Sequence, residues 1–149
     1  MKPNVVSDHA DAPRITPAFL SIQRPVMNRP DDPFIELRDL ANALGDEATR
    51  RIAIELAPFV EHTNNWDENF ADRFSSVEVM TRECSDYVDL LFLDAYAVFD
   101  CARYVDWLKA AGYDGAVHGG AGESMGEAEY KVFSENQILP IYQALNSAL

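Results

Sequence analysis

The chain has few of the residues that build disulfide frameworks, metal sites and phosphate-binding surfaces. Its 149 residues include two cysteines, three histidines and only twelve lysines and arginines. Cys84 and Cys101 are too few for a disulfide framework, so we expect a reduced, cytoplasmic setting in which both behave as small apolar residues. No uncharged apolar run approaches the ~18 residues of a membrane span. We expect no secretory signal, because no apolar stretch follows Lys2.

The motifs that usually carry catalysis are also missing. His9, His62 and His118 are far apart in the sequence, and neither cysteine belongs to a C-x-x-C pair, so the sequence predicts no metal site. The glycine-rich segment 119–126 reads G-x-G-x-x-x-G, which misses the dinucleotide fingerprint by one residue, and no lysine follows it. Without a G-x-S-x-G elbow, a hydrolase triad is not indicated either.

Acidic residues are abundant and unevenly placed. Twenty-five Asp and Glu against twelve Lys and Arg leave a formal net charge of −13. This sign repels phosphate backbones, so we expect no direct nucleic-acid binding and favour a basic protein partner. The excess is concentrated in residues 61–100, and the candidate partner-binding residues there are Asp67, Glu68, Asp72, Asp86, Asp89 and Asp94. The alternative is a solvated acidic surface that only aids solubility.

The order of elements predicts one α+β domain over residues 18–149, preceded by a mobile arm over residues 1–17. We expect a strand at 20–24 closed by Pro25, and then a helix that Gly45 ends. The spacing predicts a second helix from Asp46, a polar connection at 62–69 and a long helix over 77–99. The inner run 88–93 of that long helix is equally consistent with a buried strand.

The last third of the sequence has clearer signals. We expect a helix over 102–111, capped by Asp100 and ended by Gly112, and strands at 113–118, 127–132 and 137–142. Pro140 places the last strand at a sheet edge.

Two glutamates stand out on the strand at 127–132. Glu127 and Glu129 flank a single residue, so both carboxylates would project from one face of the strand. Neighbouring carboxylates repel each other, which raises one pKa and can serve acid–base chemistry. The alternative is two ordinary solvated acids on an exposed face.

Residues 108–117 and 129–138 together resemble the end of an ADP-ribosyltransferase-like domain, a type common in phage and mobile-element proteins. The resemblance lies in Gly112-Tyr113-Asp114-Gly115, a short strand, a variable loop, and a strand that leads through Phe133 into Gln137-Ile138. Segment 20–25, followed by Asp32-Pro33, is similar to the family's strand that ends in proline ahead of a helical insertion. The resemblance covers roughly residues 16–142. It implies a truncated ADP-ribosyltransferase-like fold, with a helical middle and a small mixed or antiparallel sheet.

The resemblance also sets the functional expectations. It places Glu129 at the family's final acidic position, with Glu127 beside it, and these are the candidate catalytic residues. The family's NAD-binding elements lie upstream of this region, and residues 1–17 do not supply them, so we expect no cofactor. The favoured function is a non-catalytic phage or mobile-element module that inhibits a host nucleic-acid-handling protein through its basic surface, as anti-CRISPR proteins do. The alternatives are a mono-ADP-ribosyltransferase that uses Glu129 and NAD, and a phage structural or scaffold piece.

Overall fold

Short strands bracket a run of helices in the computed structural model, which describes residues 17–141. Residues 1–16, which are all but the last residue of the predicted arm 1–17, and residues 142–149 lie outside the described residues. The strands are β1 (Ala18–Leu20), β2 (Pro25–Arg29), β3 (Phe34–Glu36), β4 (Phe92–Asp94), β5 (Gly115–Gly119), β6 (Ala128–Val132) and β7 (Ile138–Pro140). The helices are α1 (Leu37–Leu44), α2 (Asp46–Glu55), α3 (Ala57–Glu61), α4 (Asn64–Asn69), α5 (Val77–Glu83), α6 (Ala95–Phe99) and α7 (Ala102–Ala110).

The strands of this region form three small sheets. β5 is the centre of a mixed sheet, parallel to β2 and antiparallel to β6. β1 pairs with β7, and β3 pairs with β4, both antiparallel. The fold is therefore α+β, as the sequence predicts, and of the two expected alternatives for the central sheet, mixed or antiparallel, it is the mixed one that forms. Among the described strands β7 pairs only with β1.

Local sequence signals account for several of the helix boundaries. Gly45, with φ 87°, separates α1 from α2, and its left-handed backbone is one that few other residues adopt. The side chains of Thr63 and Ser76 accept hydrogen bonds from the first turns of α4 and α5, which is the usual N-cap arrangement. The apolar faces of these helices meet in one core, whose fully buried side chains include Leu37, Leu40, Ile52, Val60, Val77, Met80, Leu91, Leu93 and Leu108.

The prediction of one long helix over 77–99 is wrong. α5 ends at Glu83, a 3₁₀ helix follows over Ser85–Leu90, and Phe92–Asp94 form β4 before α6 begins. Pairing with β3 extends the chain here, because it lets Leu93 bury its side chain while the backbone stays hydrogen-bonded. The alternative prediction, a buried strand over 88–93, is thus correct for residues 92–93 and wrong for residues 88–90, which belong to the 3₁₀ helix.

The first strand also ends earlier than predicted, and Pro25 does not close it. β1 ends at Leu20, and Pro25 opens β2, a position at which its missing N–H costs no ladder bond. The next helix begins only at Leu37, because Phe34–Glu36 join β4 first.

Two further details of the helices differ from the prediction. The supposed polar connection at 62–69 contains α4, and its Trp66 is buried. Asp100 does not cap α7, whose N-cap is Cys101 without a side-chain bond. The Asp100 carboxylate instead lies 2.5 Å from Lys131 Nζ in β6. None of the helices within residues 17–141 has the length and apolar content that crossing a bilayer requires.

Candidate functional site

Glu129 lies where the mixed sheet meets the helices. It is the cross-strand partner of His118 in the β5–β6 ladder. The His118 ring is 1% exposed and stacks on Phe99 of α6, with 5.7 Å between ring centroids and 20° between planes. Directly opposed residues of an antiparallel pair project from the same face. The Glu129 carboxylate is therefore on the face that looks toward the helical part of the molecule.

Two side chains, those of Ser124 and His118, lie at this carboxylate. Ser124 Oγ lies 3.2 Å from Glu129 Oε1 and 3.1 Å from the carbonyl oxygen of Ala121, so its one proton has two acceptors within reach. His118 Nε2 lies 3.8 Å from Glu129 Oε2. His118 Nδ1 is 2.8 Å from the carbonyl oxygen of Gly119, so Nδ1 carries the proton that this contact needs. His118 Nε2 is buried without a hydrogen-bond partner in the described part of the chain. The Glu129 side chain is 30% exposed, which leaves its carboxylate accessible.

Glu127 has a different setting from the one that spacing predicts. It precedes β6, its side chain is exposed, and its carbonyl oxygen accepts a hydrogen bond from Gly120 N–H at 2.7 Å. Glu127 and Glu129 therefore do not share the regular strand face on which the predicted pair depends. The groups that surround Glu129 are His118 and Ser124, which the sequence analysis did not select because only strand register brings them there.

Two polar side chains of the last third of the chain, Asp114 and Gln137, connect the β1–β2 segment to the strands that follow α7. The Asp114 carboxylate accepts hydrogen bonds from the backbone N–H groups of Gln23 and Arg24, at 2.9 and 2.8 Å. Gln137 Nε2 donates to the carbonyl oxygens of Ser21 and Asp114, at 2.8 and 2.7 Å. Asp114 and Gln137 thus supply hydrogen bonds to backbone groups of the β1–β2 connection.

A second candidate site is the acidic surface formed by Asp67, Glu68 and Asp72, which we call the acidic face. Asp67 and Glu68 lie on α4, and Asp72 lies in the turn that follows. All three side chains are exposed, and none forms an ion pair with another residue between 17 and 141. The carboxylates are therefore available to a partner.

The acidic face continues toward the 3₁₀ helix Ser85–Leu90. Asn65 Nδ2 donates to the carbonyl oxygen of Leu90 at 3.0 Å, and Tyr87 packs against both Phe70 and Phe74. These contacts hold the 3₁₀ helix beside α4. Asp86 on that helix is exposed and Asp89 is half-buried, and both line a small cavity of about 160 Å³ with Arg50 and Asp46. The two predicted acidic groups thus occupy adjoining elements.

Asp94 requires a correction to the predicted acidic set. It is only 6% exposed at the end of β4, and its carboxylate oxygen Oδ2 lies 2.5 Å from His62 Nε2. A buried carboxylate that is already paired does not belong to an exposed binding surface. The His62–Asp94 pair joins residues 32 apart, and no spacing rule in the sequence points to it.

Neither site has the composition of a metal centre. Within the described range 17–141, no group of three or more His, Cys, Asp and Glu side chains is arranged to hold a metal ion. Comparisons with protein-family models, with curated proteins and with solved structures found no match to this chain.

Proposed function

We propose that the protein is a non-catalytic phage or mobile-element module whose acidic face occupies a basic, nucleic-acid-binding surface of a host protein in the cytoplasm. The observation that carries the proposal is the set of exposed carboxylates of Asp67, Glu68 and Asp72, which lack ion-pair partners within residues 17–141. They stand on a short, well-anchored segment of a chain with net charge −13.

The anchoring of the acidic face supports this function. Trp66, Phe70 and Phe74 are at most 7% exposed, so the segment that carries the three acids is fixed to the core. Acids on an anchored backbone segment lose less conformational entropy on binding than acids on a loose tail, because only their side chains have to be ordered. A surface that binds phosphate groups through Lys and Arg would accept such an array of negative charges, and long-range attraction would speed the encounter.

Charge reversal tests the proposal. A triple variant carrying Asp67→Lys, Glu68→Lys and Asp72→Lys is compared with a control carrying Glu47→Lys, Asp106→Lys and Glu123→Lys. The control changes three other exposed acids, so both variants alter the net charge equally. A partner captured from a bacterial lysate at low salt is then used for association kinetics at several salt concentrations.

The two variants should differ in association rate. We expect the acidic-face variant to associate at least about tenfold more slowly, as electrostatically steered encounters do when charges at the contact are reversed. The control should lose much less, because its charges lie elsewhere. If the acidic-face variant associates as fast as the wild type at low salt, the acidic face serves only solubility and the proposal fails.

Mono-ADP-ribosyl transfer is the second candidate function, and the surroundings of Glu129 favour it. The half-buried Glu129 carboxylate has Ser124 Oγ within hydrogen-bond distance and a buried histidine beside it, and both neighbours can orient it. Such positioning is what a catalytic acid needs. In this alternative the fold is a truncated ADP-ribosyltransferase-like domain and NAD is the substrate.

Calorimetry with NAD, together with an assay of NAD hydrolysis, separates the two functions. We expect no detectable NAD binding, because the binding-module proposal requires none. Micromolar affinity, with hydrolysis that Glu129→Gln abolishes and the matched variant Glu127→Gln retains, would establish the transferase instead.

A further inference from the structure

A cleft with a volume of about 590 Å³ opens on the side of the molecule where α3, the β3–β4 pair and the loop after β5 meet. Its volume falls in the range of ~300–1,000 Å³ that is usual for small-molecule sites. The half-buried rings of Phe34, Phe59 and Tyr96 form much of its wall, and Met125, 78% exposed, stands at the rim. The rings of Phe59 and Tyr96 pack edge to face, with 5.9 Å between their centroids, and this contact orients both rings.

One polar pair projects into this largely aromatic cleft. The side chain of Asp94 is 8% exposed and that of His62 is 54% exposed, so the carboxylate lies beneath the imidazole. Their contact, 2.5 Å between Asp94 Oδ2 and His62 Nε2, sets the orientation of the ring. An ionised carboxylate has no proton to donate and can only accept a hydrogen bond, so His62 Nε2 is the donor in this contact. His62 Nδ1 is then free to bind another group. His62 Nδ1 makes no hydrogen bond to any residue between 17 and 141.

The chemistry of the cleft defines its ligand. Aromatic walls favour a flat, apolar molecule that can stack or pack edge to face. The buried Asp94 carboxylate and the net charge of −13 disfavour an anion. In the neutral ring His62 Nδ1 is an acceptor, so the complementary group is an N–H or O–H donor. We propose that the His62–Asp94 cleft binds a small, neutral aromatic molecule whose N–H or O–H group donates a hydrogen bond to His62 Nδ1.

A second cavity adjoins the cleft at His62, and a larger ligand could extend into it. His62 and Phe34 also line an adjoining cavity of about 450 Å³, whose wall includes Thr63, Asn64 and Asn65. These polar side chains would meet substituents that extend past the imidazole. The acidic face is not part of either cavity, so this proposal does not depend on the proposed function.

Indole is a suitable probe, because 1-methylindole differs from it only by replacing the N–H donor with a methyl group. The full chain is titrated with each compound, and with indole-3-carboxylate as the anionic counterpart, while NMR follows the backbone amides of Phe34, Phe59 and Tyr96. We expect indole to bind about three- to tenfold more tightly than 1-methylindole, which is the usual contribution of one hydrogen bond. The carboxylate should bind more weakly than indole.

Substitution of His62 shows whether the preference for the donor comes from this residue. In His62→Ala, indole and 1-methylindole should bind equally, because the acceptor is gone while the aromatic wall remains. His62 is more than half exposed, so this variant should fold, and spectra of amides away from the cleft check that it does. Phe59→Ala should weaken both indoles by the same factor. The control Asp106→Ala, on the exposed side of α7, should change neither.

Several outcomes would overturn the proposal. These are no shift of the cleft amides up to the solubility limit of indole, equal affinity for the two indoles in the wild type, and a preference for indole that persists in His62→Ala. Tighter binding of indole-3-carboxylate than of indole would also overturn it, since the cleft would then select an anion.

Discussion

The Asp114 carboxylate should be one of the main contributions to stability outside the core. Its two oxygens accept hydrogen bonds from the adjacent backbone N–H groups of Gln23 and Arg24, about 90 residues earlier in the chain. Both N–H groups lie near the surface, so each bond is worth the ~0.5–1.5 kcal/mol typical of hydrogen bonds that compete with water. Asp114→Ala should therefore lower the free energy of unfolding by about 1–3 kcal/mol.

Urea denaturation followed by tryptophan fluorescence measures this loss. Trp66 is 4% exposed in the native state and reports the opening of the core. With a slope of ~1–3 kcal/mol per molar urea for small proteins, the midpoint should fall by roughly 1 M at an unchanged slope. The control Asp106→Ala removes an exposed carboxylate that has no hydrogen bond in the described range, and it should stay within about 0.5 kcal/mol of the wild type.

A wild-type midpoint for Asp114→Ala would refute the reasoning. It would mean that the β1–β2 connection keeps its conformation without the Asp114 carboxylate. A changed slope would show instead that the variant unfolds over a different amount of surface.

Three other predictions concern the core, the central strand and a buried tyrosine. Leu108→Ala should cost about 2–5 kcal/mol, because the side chain is fully buried in α7, and a neutral result in the same urea assay would contradict this packing. Gly115→Ala should lower the free energy of unfolding by about 1–3 kcal/mol, because a Cβ atom there would lie 2.5 Å from the carbonyl oxygen of Lys131. An unchanged urea midpoint would show that β6 can shift to make room for the added methyl group at little cost. Burial, together with the hydrogen bond that the hydroxyl donates to Glu55, raises the pKa of Tyr104 from 10.0 to about 12. The stability from this group is then fully present below about pH 10 and lost as the pH rises through about 12. Absorbance titration of the wild type should show one phenol that ionises near pH 12, and this step should be absent in Tyr104→Phe. If Tyr104→Phe instead loses a phenol that ionises near pH 10, the assignment is wrong.

The sequence alone determined the parts of the fold that local chemistry controls. Gly45 separates two helices because its positive φ suits glycine, and Gly112, with φ 94°, lies just past α7 for the same reason. The α+β class also follows from local patterns, since helix periodicity and strand alternation are visible in short windows.

Tertiary structure decided everything that depends on pairing between distant segments. Phe92–Asp94 became a strand because Phe34–Glu36 pair with it, and Asp94 consequently left the predicted acidic set for a buried contact with His62. The sequence placed Glu129 on a strand, but only the register of β6 against β5 put His118 opposite it. A window of sequence contains no information on which distant residue will pair with a given backbone group or carboxylate, so the neighbours of Glu129 and Asp94 could be identified only in the folded structure.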